Sequence, residues 1–392
     1  MLMGCCDPLS IGGNPLHVVL LMEHPSLNGG ERSTLAFCDQ LRQQGFQFTA
    51  IAPPDADFSD TLTLHQIDHV PFSFRNPEGN RYPLDKLRTK LSEQLRKLPG
   101  DLFHAISLST SRIAGPVVRK LRLPSIGHIR DIMTLSRQAM NDVNENDRIL
   151  AVSKAALDYH RRAGLSSGKS SVLYNGIDLR TFKPTASSGE LHRSLGLSPD
   201  SILLGAAGQI IIRKGLDTLL KGFLIASKKY PKVHLVIAGR RHSDKEETLG
   251  HEKELNEFIV ANKLNHRVHF LGHQKNMHPF YASLRMFLHC ARQEPLGRVL
   301  LEAAAYGIPV IATNVGGTNE IFKRRDQGII IEPDEPEQLA AEISNLIDAP
   351  ESARHIGANG RTAIEASFDI RNASIQLAGI YRRTIVCANQ SS

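Results

Sequence analysis

ILLGAAGQIIIRKGLDTLLKGFLIASKKYPKVHLVIAG, residues 202–239, holds two short apolar runs, ILLGAAG (202–208) and HLVIAG (234–239), joined by a turn and a helical pattern. Apolar runs of four to seven residues separated by amphipathic segments read as buried parallel strands with crossover helices. The unit recurs outward in both directions. In the first half the runs are HVVLLM (17–22), FTAIAP (48–53), LFHAIS (102–107), PSIGHI (124–129) and RILAVS (148–153). In the second half VHFLG (268–272), MFLHCA (286–291), PVIATN (309–314) and GIIIEP (328–333) follow. Two such series predict an α/β chain of two doubly wound domains. A Pro-, Gly- and Ser-rich break falls at about 173–201. The expected division is an extension at 1–16, domains at 17–185 and 186–370, and a last helix at 371–392 that can cross back to the first domain. Ligands of such domains bind at the carboxyl ends of the strands, here in the expected cleft between the domains.

Composition narrows the function. At 392 residues, with 41% hydrophobic and 22% charged residues, the chain is sized for two soluble domains. No apolar run reaches the roughly 18 residues of a membrane span, and MLMGCCDPLSIGGNP, without a basic start followed by an apolar core, is not expected to act as a secretory signal. Five scattered cysteines without a C-x-x-C spacing argue for a reducing, cytoplasmic setting and against disulfides or zinc, although Cys5–Cys6 could carry a lipid. The net charge of +7 suits an anionic substrate or membrane surface. With 6% aromatics, no Trp and no basic–aromatic interleaving, nucleic acid is not an expected partner.

EPLGRVLLE (294–302) spaces two glutamates around the start of a predicted helix. Proline is favoured at the first helical position, which puts Glu294 at the mouth of the helix and Glu302 inside it. Eight residues at about 1.5 Å each separate the carboxylates by roughly 12 Å along the axis. The amides of Leu296, Gly297 and Arg298 lie between them, and a helix start is a ready anion site. Carboxylate, anion site and carboxylate in that order suit a long ligand with hydroxyls at both ends and a phosphate between. Four further stretches fall at strand ends. Gly29 and Gly30 (LNGGERSTLAF) let backbone approach a phosphate, though a bare tight turn looks the same. Lys214, in GQIIIRKGLDTLL, precedes a helix where a cation could meet a diphosphate or simply face solvent. His128, in GHIRDI, ends a strand, and NVGGTNEIF (314–322) repeats the glycine pair.

Together GGERSTL, HIRD, AVSKAALDYH, VLYNGIDLRTFKP, GQIIIRKGLDTLL, FLGH and EPLGRVLLEAAAYGIPVIATNVGGTNEI resemble glycosyltransferase family 4, from about residue 17 to 387. The resemblance implies the GT-B fold and a retaining transfer from a UDP- or GDP-sugar to a hydroxyl acceptor, whether glycan, lipid-linked or small molecule. It implies that Glu294 contacts the donor sugar, Glu302 the ribose, Lys214 and the Gly30 loop the diphosphate, and His128 the sugar near its reacting carbon. Many members carry Arg where this chain has Gln209. Either Arg213 substitutes for it, or the diphosphate is held with less charge. Neither a metal nor another cofactor is expected: Lys214 and the helix amides would stabilise the departing diphosphate.

One more segment bears on partners. RYPLDKLRTKLSEQLRKLPG (81–100) has six basic and two acidic residues and a stripe of Leu84, Leu87, Leu91, Leu95 and Leu98. It reads either as a basic helix for peripheral contact with an anionic membrane at its inner face, or as an ordinary crossover helix. Two other function classes remain: a nucleotide-sugar epimerase or hydrolase of the same architecture, and a binding protein without catalysis. The first lacks an evident acid/base pair, and intact Glu294, Lys214 and Glu302 argue against the second.

Overall fold

The computed structural model describes residues 15–390, so residues 1–14 of the expected extension, with Cys5 and Cys6, lie outside it. The chain divides into two compact units. The first takes the described residues up to Ala151, Leu157–Leu173 and the chain from Arg371 onward, and the second takes Val152–Ala156 and Tyr174–Ile370. Residues 174–185 therefore belong with the second unit, not with the first as the break at 173–201 suggested. The reason is local. Ile177 donates its amide to Phe368 O at 2.8 Å and accepts from Ile370 N at 3.1 Å. Gly176 lies so close beneath Ile370 that a Cβ there would meet its Cα at 2.4 Å.

The first unit holds β1 (Leu16–Leu21), β2 (Phe46–Ala52), β3 (Asp68–Pro71), β4 (Leu102–Ala105), β5 (Ser125–Ile129), β6 (Arg148–Ala151) and β7 (Ser170–Val172). All pair in parallel, in the order β3-β2-β1-β4-β5-β6-β7. The second holds β8 (Ile202–Ala207), β9 (Val233–Ala238), β10 (Val268–Gly272), β11 (Met286–His289), β12 (Val310–Thr313) and β13 (Ile329–Ile331), ordered β10-β9-β8-β11-β12-β13. Central strands are covered on both faces, which is why they read as unbroken apolar runs: all six residues of β9 are buried. The sequence missed β3 and β7. DHVP and SSV are edge strands with exposed positions, so burial does not demand an apolar run there. In both sheets the strand order reverses beside the first strand, between β1 and β4 and between β8 and β11. A crevice opens outside the carboxyl ends of strands at such a reversal.

Two expected helices are accounted for by packing. Leu84–Leu95 buries Leu87, Leu91 and Leu95 against a core that includes Val19, Phe72 and Phe103, with Leu84 and Leu98 packed alongside. Lys90 donates to Ser73 O at 3.1 Å and Arg88 pairs with Asp142 at 2.7 Å. The leucine stripe thus faces the sheet, as a crossover helix requires. The long terminal helix, Ile370–Gln390, sets Tyr381 edge-on to Phe46 with ring centroids 5.5 Å apart, and Arg382 donates to Gln44 O at 2.8 Å. Among the described residues no helix is long and apolar enough to cross a membrane.

Candidate active site

In the second unit the chain leaves β8 at Ala207 and turns through Gly208 (φ 150°) into a short 3-10 turn, Ile212–Lys214, before the helix Leu216–Ser227. Gly215, at φ 61°, ends the turn against the backbone of Cys290, where a Cβ would meet the carbonyl oxygen at 1.9 Å. Arg292 clamps the same loop. Its amide donates to Arg213 O at 2.8 Å, its guanidinium donates to Ile212 O at 2.9 Å, and it pairs with Asp217 and Asp334, each at 2.7 Å. The segment after β8 is thereby fastened to the segment after β11, on the two strands flanking the reversal. Arg292 was not singled out from sequence, because an arginine in a loop carries no pattern of its own.

This clamp brings Lys214 to Glu294. The two side chains, 13% and 9% exposed, form an ion pair, and His289 Nε2 donates to the same carboxylate oxygen, Oε2, at 3.0 Å. Oε1 of Glu294 has no partner among the described residues. Burial pushes the Glu294 carboxyl up, but the Lys214 charge and the His289 hydrogen bond outweigh it and hold the group well below the usual carboxylate range. Burial lowers His289, which stays neutral and donates from Nε2. His289 ends β11 and His128 is next to last on β5, so the strand-end criterion that selected His128 would have found it.

The helix after Glu294 begins later than its sequence suggested. It spans Arg298–Ala305, so Pro295 lies in the preceding loop rather than in the first turn, and the two glutamates are not joined by continuous helix. Gly297 sets the start with φ 96° and ψ 73°, a left-handed conformation in which a Cβ would meet Leu300 at 2.7 Å and Glu294 Cγ at 3.2 Å. The amides of Leu296, Gly297 and Val299 donate to no acceptor among the described residues, whereas Leu300 N bonds Gly297 O at 3.0 Å. Gly316 and Gly317 support the loop from below. A Cβ would lie 1.9 Å from Glu294 O at Gly316 and 2.4 Å from Pro295 O at Gly317, and Gly317 N donates to Glu294 O at 3.0 Å. The glycine pair in NVGGTNEIF is thus a close-approach device that fixes Glu294.

Glu302, inside the helix and buried, is held at both oxygens: Arg298 Nε donates to Oε1 and Tyr281 OH to Oε2, each at 2.8 Å. An ionised carboxylate has about four acceptor positions, so lone pairs remain for ligand hydroxyls. Tyr281 is fully buried and was not selected from sequence. Gln209 and Arg213 are half-buried beside Lys214, and the Arg213 side chain has no hydrogen-bond or ion-pair partner among the described residues. Lys214, Glu294 and the loop amides are thus gathered in one unit.

Gly29, Gly30 and His128 belong to the other unit. Gly29 and Gly30 open the helix Gly29–Arg42, which has no side-chain cap, and a Cβ on Gly30 would stand 3.4 Å from Arg130 Cδ. His128 is wholly buried on β5. Its Nδ1 lies 3.2 Å from His104 Nε2 and 3.3 Å from Arg130 Nη2.

Two family models match the chain: Glycosyltransferase Family 4 over residues 27–181 and Glycosyl transferases group 1 over residues 187–363. The chain belongs to glycosyltransferase family 4. Among curated relatives of this family 4 chain, the lipopolysaccharide core biosynthesis mannosyltransferase LpsB of Rhizobium meliloti is 28% identical over 223 residues, 56% of this chain and 63% of LpsB. The match thus spans less than two thirds of that relative. A GDP-mannose-dependent alpha-mannosyltransferase of Corynebacterium glutamicum is 24% identical over 85% of this chain and 81% of its own. The crystal structure of Anabaena HepE in complex with UDP and glucose superposes with a TM-score of 0.82 at 24% identity, covering 93% of this chain and 98% of HepE. That likeness establishes the two-domain Rossmann-like architecture, as in other GT-B glycosyltransferases, for this family 4 member.

Proposed function

We propose that the protein is a retaining glycosyltransferase that moves a sugar from a UDP- or GDP-sugar to a hydroxyl acceptor in polysaccharide or lipopolysaccharide biosynthesis. The observation that carries this reading is the Lys214–Glu294–His289 cluster beside unpaired loop amides and a doubly held Glu302, all at the strand-order reversal of the second sheet. In this reading Glu302 accepts the ribose hydroxyls. Glu294 presents its open Oε1 to the sugar. Lys214, Arg213 and the amides of Leu296 and Gly297 meet the diphosphate.

As the anomeric carbon separates from its leaving group, negative charge gathers on the β-phosphate. Lys214 is already in place on the Glu294 carboxylate, and Arg213 has no side-chain partner among the described residues, so both cations are available without rebuilding the loop. Arg213 thereby supplies the second phosphate contact that Gln209 cannot. The acceptor attacks from the face the diphosphate leaves, and the departing phosphate takes the acceptor proton, which gives retention. Two cations and oriented amides provide charge that a metal would otherwise provide, so the transfer is proposed to be metal-independent. His128 is proposed to donate a hydrogen bond to a substrate oxygen. The relatives named above are transferases, which supports transfer over epimerisation. Incubating the protein with a panel of UDP- and GDP-sugars, with and without glycan or lipid-linked acceptors, and measuring nucleotide release and the anomeric configuration of the product tests the reading. An inverted product refutes retention, and no release with any donor refutes the assignment of the cluster.

A further inference from the structure

Three aromatic side chains far apart in the sequence meet inside the first unit. Tyr381 OH lies 2.7 Å from His104 Nδ1, and His104 Nε2 lies 3.2 Å from His128 Nδ1. The imidazole planes are within 8° of parallel. His128 and Tyr381 are no more than 1% exposed and His104 is 3% exposed, so no solvent reshuffles the protons. Arg130 is anchored by its Nε on Ile106 O at 2.8 Å and by Nη2 on Thr34 Oγ1 at 3.2 Å, and that same Nη2 reaches His128 Nδ1 at 3.3 Å.

A guanidinium has donors only. His128 Nδ1 must therefore accept, and in the neutral ring its proton is on Nε2. His104 Nε2 facing that acceptor must donate, which leaves His104 Nδ1 to accept from Tyr381 OH. Only this assignment satisfies all the contacts. Burial and the Arg130 charge keep His128 neutral, and burial does the same for His104. The chain of donors ends on His128 Nε2, which is buried and has no partner among the described residues. A buried donor left unpaired is costly to stability, so a site that keeps one has a use for it.

We infer that Arg130, His104 and Tyr381 are positioning residues that fix the proton of His128 on Nε2, making it an uncharged hydrogen-bond donor to a substrate oxygen and not a proton acceptor. The inference rests on the proposed contact between His128 and substrate. It adds that Arg130 governs what that contact can do, with His104 and Tyr381 completing the chain of donors behind it. A base at this position would pull a proton from a hydroxyl acceptor; a donor instead orients or stabilises an oxygen that gains charge.

The test is nitrogen NMR of the full chain labelled with ¹⁵N-histidine, with the His128 signals assigned by their loss in His128→Gln. Wild-type protein is expected to show a protonated Nε2 and an unprotonated Nδ1 for His128. In Arg130→Met the donor that bars a proton from His128 Nδ1 is gone, the two histidines can exchange roles, and the His128 signals shift toward a tautomer mixture, whereas Tyr381→Phe, which keeps Arg130, retains the wild-type His128 tautomer. Turnover by Arg130→Met falls about two- to tenfold in kcat, the loss of one ordinary hydrogen bond, with donor KM little changed. A protonated Nδ1 in wild type, or Arg130→Met with the wild-type His128 signals, overturns the wiring. If Arg130→Met does not fold, the wild-type tautomer alone decides. Wild-type turnover by His128→Gln overturns instead the substrate contact, while the tautomer measurement still stands or falls by itself.

Discussion

Replacing Lys214 by Met keeps the volume of the side chain and removes its charge from a pair whose members are 13% and 9% exposed. Glu294 is then left with His289 alone. Breaking a buried pair by deleting one partner typically costs about 3–5 kcal/mol, because the remaining charge stays desolvated. The sign of the pH dependence separates this account from a simple packing defect. In wild type the Glu294 carboxyl lies below its unfolded value of about 4.3, so its stabilisation is present above that pH and lost as pH falls. Without Lys214, burial dominates and the Glu294–His289 pair takes up a proton on folding. Its stability is then greatest at low pH and lost as pH rises. Urea unfolding at about pH 5 and about pH 7.5 should therefore show a gap between wild type and Lys214→Met that widens at the higher pH. The double variant Lys214→Met, Glu294→Gln should recover much of the stability, because no charge remains buried. Activity follows a different course: kcat should fall on the order of 10²-fold or more with a smaller change in donor KM, and the double variant should not recover it. A gap independent of pH would refute the buried-pair argument. A kcat within about threefold of wild type would remove Lys214 from the transfer step.

Glu302→Ala should mainly raise donor KM and weaken binding of the free nucleoside diphosphate, by roughly 10- to 150-fold for hydrogen bonds to a charged group. Glu294→Ala should instead depress kcat and leave nucleotide affinity nearly intact; calorimetry on both variants that gives the reverse pattern would mean the ligand runs the other way along the loop. Gly316→Ala places a Cβ 1.9 Å from Glu294 O at a φ of 52°, so activity should drop sharply although the substituted residue bears no functional group. Turnover should persist in EDTA; full loss restored by Mn²⁺ or Mg²⁺ would contradict the metal-free transfer. Because the leucines of helix Leu84–Leu95 are committed to the core, replacing Arg96 and Lys97 by Gln should not change sedimentation with anionic liposomes, and a salt-sensitive loss would revive the membrane surface.

Apolar periodicity alone determined two doubly wound sheets, since a parallel strand covered on both faces is apolar at nearly every position, and β8, β9, β11 and β12 follow that with His234, His289 and Thr313 as their polar residues. Edge strands β3 and β7 escaped because half of their surface is free of that demand. Residue type was enough to single out Glu294, Glu302, Lys214 and His128, since a lysine before a helix or a histidine at a strand end is readable where it stands. What those residues touch was not readable. A start at Arg298 rather than Pro295 follows from the left-handed Gly297 and from Gly316 and Gly317 packed beneath the loop, twenty residues downstream. The pairing of Lys214 with Glu294 spans 80 residues, and the link from Tyr381 to His104 spans 277. Sequence spacing carries information along a helix or strand, where geometry repeats; it carries none across a crossover, where burial and the available hydrogen-bond partners decide which side chains meet.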